Sequence, residues 1–186
     1  HEWVRLANPE TGDVRTVFDE KAKTYFEGGF ENSNWQYVPE TDQVIWFSER
    51  SNWGHLYAYS LKTAKLEKQI TKGDWNVTQV LHIDPKTKTI WFRGVGREKG
   101  VNPYYQQFYK LGFDGQGLPL LTPENADHPV SLSKDGTSFS DPYSTIHTPP
   151  VAPARSPDTG APAKDTAPAP IPPPAPSRRP PPSALP

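Results

Sequence analysis

The chain has 186 residues, with 20 Lys and Arg against 21 Asp and Glu, no Cys, and 6 Trp, 8 Tyr and 8 Phe. Zero cysteine excludes a disulfide framework, a thiolate zinc site and a cysteine nucleophile. The balanced charge excludes a phosphate-tracking surface, since the nearest basic cluster, Lys62, Lys65, Lys68 and Lys72, fits the solvated edge of a strand, and no apolar run approaches the roughly 20 residues that span a bilayer.

Composition then splits the chain in two. Residues 149–186 hold 15 of the 23 prolines and no aromatic, whereas every aromatic falls within residues 1–148. The charge splits too: the tail carries four cations (Arg155, Lys164, Arg178, Arg179) and two anions (Asp158, Asp165), or +2, leaving 16 − 19 = −3 for the rest. The expected domains are 1–148, long enough to bury a modest core, and a disordered, extended Pro/Ala-rich tail over 149–186.

In chain order, strand-forming segments lie near Trp3 to Phe18, and then come short bursts: Val44-Ile45-Trp46-Phe47, Leu56-Tyr57-Ala58-Tyr59, Val77 to Ile83, Thr89-Ile90-Trp91-Phe92 and Phe108-Tyr109-Lys110-Leu111. They are rich in aromatic and β-branched residues and are bounded by turn chemistry such as Glu40-Thr41-Asp42, Asp84-Pro85-Lys86 and Asp114-Gly115. No long stretch carries the i, i+3, i+4, i+7 apolar pattern of a helix. The fold class is all-β.

The bursts repeat. Ile45-Trp46-Phe47 is echoed by Ile90-Trp91-Phe92, an offset of 91 − 46 = 45, and Phe139 follows Phe92 by 47. Leu56-Tyr57 corresponds to Phe108-Tyr109, and Gln69-Ile70-Thr71 to Leu120-Leu121-Thr122. A period near 45 with four short strands per unit is the pattern of β-propeller blades. The expectation is a partial propeller: outer strands of one blade, two whole blades over about Trp35 to Thr71 and Val77 to Thr122, and the opening strands of a fourth.

Several strings keep a family's order and spacing. Ser48-Glu49-Arg50-Ser51-Asn52-Trp53-Gly54-His55-Leu56-Tyr57, Thr71-Lys72-Gly73-Asp74-Trp75, Leu121-Thr122-Pro123-Glu124, Ser133-Lys134-Asp135-Gly136 and Asp141-Pro142-Tyr143-Ser144 with Pro149-Pro150 resemble the propeller of the prolyl oligopeptidase family, dipeptidyl peptidase IV branch. The resemblance covers roughly Glu2 to Val151. It implies a serine peptidase whose propeller screens peptide substrates by size beside a C-terminal α/β-hydrolase domain, the missing partner of this chain. It favours a periplasmic or secreted location and leaves a cytoplasmic one open. It also places Phe30 and Glu31, in Gly28-Gly29-Phe30-Glu31, at the border of the substrate cavity, with Glu31 where some relatives carry a basic residue.

The chain itself reads as non-catalytic. An α/β-hydrolase nucleophile needs a Gly-x-Ser-x-Gly elbow, and the nearest string, Gly136-Thr137-Ser138-Phe139-Ser140, lacks the closing glycine. His55, His82 and His128 lie in or beside strands, with Asp84 and Asp127 as expected hydrogen-bond partners. His82 and Asp84 are too few for a metal, so no catalytic residue, metal or cofactor is assigned. The alternative is a stand-alone interaction module whose tail string Pro173-Pro174-Ala175-Pro176-Ser177-Arg178 fits a P-x-x-P-x-R ligand.

Overall fold

The computed structural model describes residues 2–21, 35–145 and 148–163. Strands β1 (Glu2–Ala7) and β2 (Val14–Glu20) form a hairpin. Strands β3 (Trp35–Val38), β4 (Gln43–Ser48), β5 (His55–Ser60) and β6 (Lys65–Gln69) form a four-stranded antiparallel meander. Strands β7 (Asn76–Asp84), β8 (Thr89–Val95) and β9 (Gln107–Gly112) form a three-stranded one, in which Leu120 bridges Tyr109 where a fourth strand would run. The last units are β10 (Ser131–Leu132), β11 (Phe139–Ser140) and β14 (Ala154–Arg155) in one sheet, and β12 (Tyr143–Thr145) with β13 (Thr148–Val151) in a hairpin. The fold is all-β, a series of small antiparallel sheets.

The sheets bury their faces against one another. Val44, Trp46, Tyr57 and Tyr59 pack on Val17 and Phe18 of the preceding hairpin. The opposite face of the same meander, Ile45, Phe47, Leu56 and Ala58, packs with Ile90, Phe92, Tyr109 and Leu111 of the next. Trp91 and Phe108, on the far face of that sheet, pack with Val130 and Phe139. A strand covered on both faces cannot alternate apolar with polar, which is why β4, β5 and β8 read as nearly continuous apolar runs. The outer strand β6 is exposed along its whole length, and its Lys65 and Lys68 guard an otherwise open edge.

Two successive units share one hydrogen-bonded clip. Thr71 Oγ1 accepts from Leu56 N at 2.9 Å, and Thr122 Oγ1 from Phe108 N at 3.0 Å. Ile70 N donates to Leu56 O, and Leu121 N to Phe108 O, both at 2.8 Å. The side chain preceding each clipped residue plays a matching part: His55 Nδ1 meets Thr71 Oγ1 and Nε2 meets Gly73 O, while Gln107 Oε1 meets Thr122 Oγ1 and Nε2 meets Ala126 O.

These clips correct the repeat. Leu56 pairs with Phe47, and Phe108 with Arg93, so Phe47 corresponds to Arg93 and Trp46 to Phe92, an offset of 92 − 46 = 46. The left-handed turn residues Asp42 and Lys88, both at φ 53, keep the same spacing. The sequence match of Trp46 to Trp91 is one residue out, and in a strand one residue reverses the face. Trp46 thus faces the preceding sheet and Trp91 the following one.

Residues 149–163 do not form an extended tail: β13 and β14 are paired, Ala163 N donates to Ala154 O, and Gly160 N donates to Ser156 O in a tight turn. Proline is tolerated here because edge strands and turns leave the missing N–H unneeded. Residues 164–186 lie outside the described residues.

Burial holds the His55 imidazole below its ordinary value of 6.5, against a smaller opposing pull from the Gly73 carbonyl. The unfolded chain therefore takes up this proton first on acidification, so the stability is complete above the ordinary value and is lost as pH falls below it. Because Gln107 fills the same role without titrating, His55→Gln should stay within about 1 kcal/mol of wild type at neutral pH. It should also flatten the loss of stability between about pH 7 and 5, read from urea midpoints. An equal acid loss in both proteins would assign the titration elsewhere.

Candidate functional site

Among the described residues, a buried polar cluster joins the loop after the β7–β9 sheet to the sheet of β10, β11 and β14. The chain leaves Thr122 into a loop that carries Glu124 and His128, anchored by His128 N on Gln106 O. Asp141 follows β11 directly, and Arg155 ends β14. His128 and Asp141 have no exposed surface, and Arg155 is 4% exposed. His128 Nδ1 lies 2.7 Å from Asp141 Oδ1, and Nε2 lies 3.0 Å from the backbone oxygen of Glu124. Arg155 Nη2 donates to Glu124 Oε1 at 2.5 Å and Nη1 to Gly160 O at 3.0 Å. Its Nε sits 2.8 Å from Asp141 Oδ2 as a charge contact without hydrogen-bond alignment.

A buried His–Asp pair invites comparison with a hydrolytic triad, but the second nitrogen decides its chemistry. A general base needs that nitrogen on a nucleophile's hydroxyl. Here Nε2 faces the Glu124 carbonyl oxygen and no hydroxyl, so the ring is not placed on a nucleophile. Ser138 instead donates its backbone N–H to Ser133 Oγ in the turn before β11.

Metal binding fails on similar grounds. Ligand atoms of Glu124, His128 and Asp141 lie within 4.8 Å of one another, a spacing that would suit a cation. The Arg155 guanidinium already supplies positive charge to both carboxylates, so the donor set does not fit a metal. The cluster links the loop after Thr122 to the ends of β11 and β14.

The segment around Arg155 is held on several sides. Trp91 Nε1 donates to Pro157 O at 3.0 Å, and Lys110 Nζ meets Asp158 Oδ1 at 3.1 Å. Gly160 has φ +71, and a Cβ there would lie 2.3 Å from Leu121 O. A second ionic cluster joins the first hairpin to the next sheet: buried Glu20 accepts from Trp46 Nε1 at 2.5 Å, from Arg50 Nη2 at 2.7 Å and from the Ser48 hydroxyl. Arg50 also lies 4.4 Å over the Tyr57 ring.

The histidine partners differ from those expected. His128 pairs with Asp141, while Asp127 accepts from Gln106 N at 2.8 Å. Asp84 bonds within its own turn to the Thr87 hydroxyl and Lys86 N, which hold its carboxyl below the usual range, with His82 contributing least. Phe30 and Glu31 lie outside the described residues. Glu124, Asp141 and Arg155 were not singled out as site residues; Asp141-Pro142-Tyr143 carries a motif, but nothing local marks Arg155 as buried.

The family pattern described as "Dipeptidyl peptidase IV (DPP IV) N-terminal region" matches residues 1–150. The chain belongs to this family. It is similar to dipeptidyl peptidase 4 of Arthroderma otae, 47% identical over 91 residues, covering 48% of this chain and 11% of that protein. It is also similar to dipeptidyl peptidase 4 of Trichophyton rubrum, 31% identical over 91 residues with the same coverage of each chain. The crystal structure of Porphyromonas gingivalis dipeptidyl peptidase 4 shares the fold at a TM-score of 0.72 and 16% identity, over 86% of this chain and 22% of that one. The chain thus spans about 11% of the curated relatives it matches.

The paired segment past residue 150 extends beyond the matched family region. Arg155→Met should cost on the order of 3 kcal/mol by stranding Asp141 and Glu124. Adding Asp141→Asn to that variant should recover part of the loss, measured by urea unfolding followed through Trp fluorescence. A neutral Arg155→Met would show that the buried guanidinium contributes no cohesion.

Proposed function

We propose that this chain is a non-catalytic part of a β-propeller in a dipeptidyl-peptidase-like serine peptidase. It consists of two whole blades and parts of two others, and it contributes to substrate access and gating in the longer polypeptide. The observation that carries this reading is the family match over residues 1–150. Supporting it is the succession of small antiparallel sheets, the inner ones covered on both faces by their neighbours, as blades around a ring would be. In this reading a separate α/β-hydrolase domain supplies the nucleophile, the base and the oxyanion donors, and the propeller walls a cavity that admits short peptides. Specificity then arises partly from access. The absence of a Gly-x-Ser-x-Gly string from the sequence and the capped Nε2 of His128 both fit a supporting role.

The 186-residue chain should neither turn over Xaa-Pro chromogenic dipeptide substrates nor take up a fluorophosphonate probe, because binding alone leaves most of the hydrolytic barrier in place. Fused in frame to a matching hydrolase domain, with the remaining blades restored, it should yield an active enzyme. Turnover by the chain alone that disappears in Ser138→Ala would overturn the reading.

A further inference from the structure

The internal repeat isolates one cation. Arg93 stands where Phe47 stands in the preceding unit, on the face of β8 that carries Trp91 and turns to the following sheet. Phe47 is buried in an apolar core, whereas Arg93 is half-buried among polar side chains. Its Nη2 donates to Gln79 Oε1, and its Nε is buried with no hydrogen-bond partner. Among the described residues Arg93 forms no ion pair, and burial draws its guanidinium below the ordinary value. A guanidinium withdrawn from water without a counter-charge carries a free-energy cost that an arriving anion offsets.

The backbone is shaped around this residue. Val77 pairs with Gly94 and Gln79 with Arg93, so Thr78 is skipped as a β-bulge. A bulge re-aims side chains. Here two consecutive residues serve one polar corner: Gln79 meets Arg93, and Thr78 Oγ1 lies 3.5 Å from Gln106 Oε1. Asp127 is the carboxylate whose charge reaches Arg93, yet its Oδ1 is engaged by Gln106 N at 2.8 Å. Thr78, Gln79, Gln106 and Asp127 are, like Arg93, only partly buried, so the corner keeps a solvent-facing side.

We propose that Arg93 anchors a binding site for one carboxylate group at this corner, oriented by Gln79 and flanked by Thr78 and Gln106. The planar guanidinium fork matches a carboxylate. Because Asp127 already offsets part of the positive charge, the site suits a monoanion and disfavours a dianion such as a phosphate monoester. The carboxylate can arrive as the C-terminus of a short peptide or as an Asp or Glu side chain of the longer polypeptide, and the chemistry at Arg93 is the same. The inference rests on the geometry of the β7–β9 sheet and not on the peptidase reading, so the activity assays leave it untouched.

The test follows the Arg93 Nε–H resonance of the isotopically labelled full chain, assigned by its loss in Arg93→Lys. Sodium acetate, acetyl-triglycine and acetyl-triglycine amide are added in turn at an ionic strength held constant with chloride. Acetate should move the resonance along a saturating curve with a midpoint below about 100 mM, as one charge-assisted contact allows, and the amide should leave it in place. Asp127→Asn, which keeps an acceptor for Gln106 N, should tighten acetate at least about twofold by removing a repelling charge. Acetyl-triglycine bound at least about tenfold more tightly than acetate assigns the site to a peptide terminus, and a smaller difference assigns it to a side chain of the longer polypeptide. Should Arg93→Lys not fold, Arg93→Phe, with the residue type of position 47, supplies the assignment. An Arg93 resonance unmoved by both carboxylates, or one that responds equally to the amide or to chloride, would overturn the inference.

Discussion

Everything in this structure follows from sheets that must bury both faces. A single small antiparallel sheet exposes too much apolar surface to persist in water, and each fully buried large side chain contributes about 1.5–3 kcal/mol only when a neighbouring sheet completes its surroundings. Alternation along a strand then acquires an unusual meaning, because successive residues serve different neighbours: Ile45 and Phe47 belong to the core shared with the next sheet, while Val44 and Trp46 belong to the core shared with the preceding hairpin. Register is consequently strict. A slip of one residue would exchange the two cores.

The same constraint explains where charge is buried. Stacked sheets trap polar groups at their margins, and each trapped group must be satisfied from the opposite side. Glu20 gathers Trp46, Ser48 and Arg50 from the adjoining sheet, and Arg155 reaches Glu124, Asp141 and the Gly160 carbonyl at once. Such clusters confer geometry more than net stability, since desolvation offsets much of the ionic attraction, while loss of one member strands the others. The Thr71 and Thr122 clips do the neutral version of this work, each hydroxyl meeting a strand N–H and a neighbouring side chain.

Among the described residues, the two fully buried histidines are engaged within the fold. His128 has both nitrogens committed, and His55 lies between a hydroxyl and a carbonyl. The ordered loop motifs hold turn geometry and inter-sheet contact: Gly54, whose Cβ would fall 2.7 Å from the Phe47 ring, lies inside one of them.

Much of the fold was legible from sequence because its signals are local. Aromatic and β-branched bursts between turn residues mark β4, β5, β8 and β9, and the matching strings Gln69-Ile70-Thr71 and Leu120-Leu121-Thr122 mark equivalent positions of the two units, where the structure forms the clips. What sequence could not determine is which way a side chain points when both faces of a strand are apolar. The letters of Trp46 and Trp91 match, yet their faces oppose, because register is set by cross-strand pairing and not by residue type. Composition likewise assigned residues 149–163 to a solvated tail. Only the tertiary structure brought Arg155 to Asp141 and Glu124 and seated Gly160 against Leu121 O, since long-range ionic pairing and turn closure order a segment that its own apolar content could not.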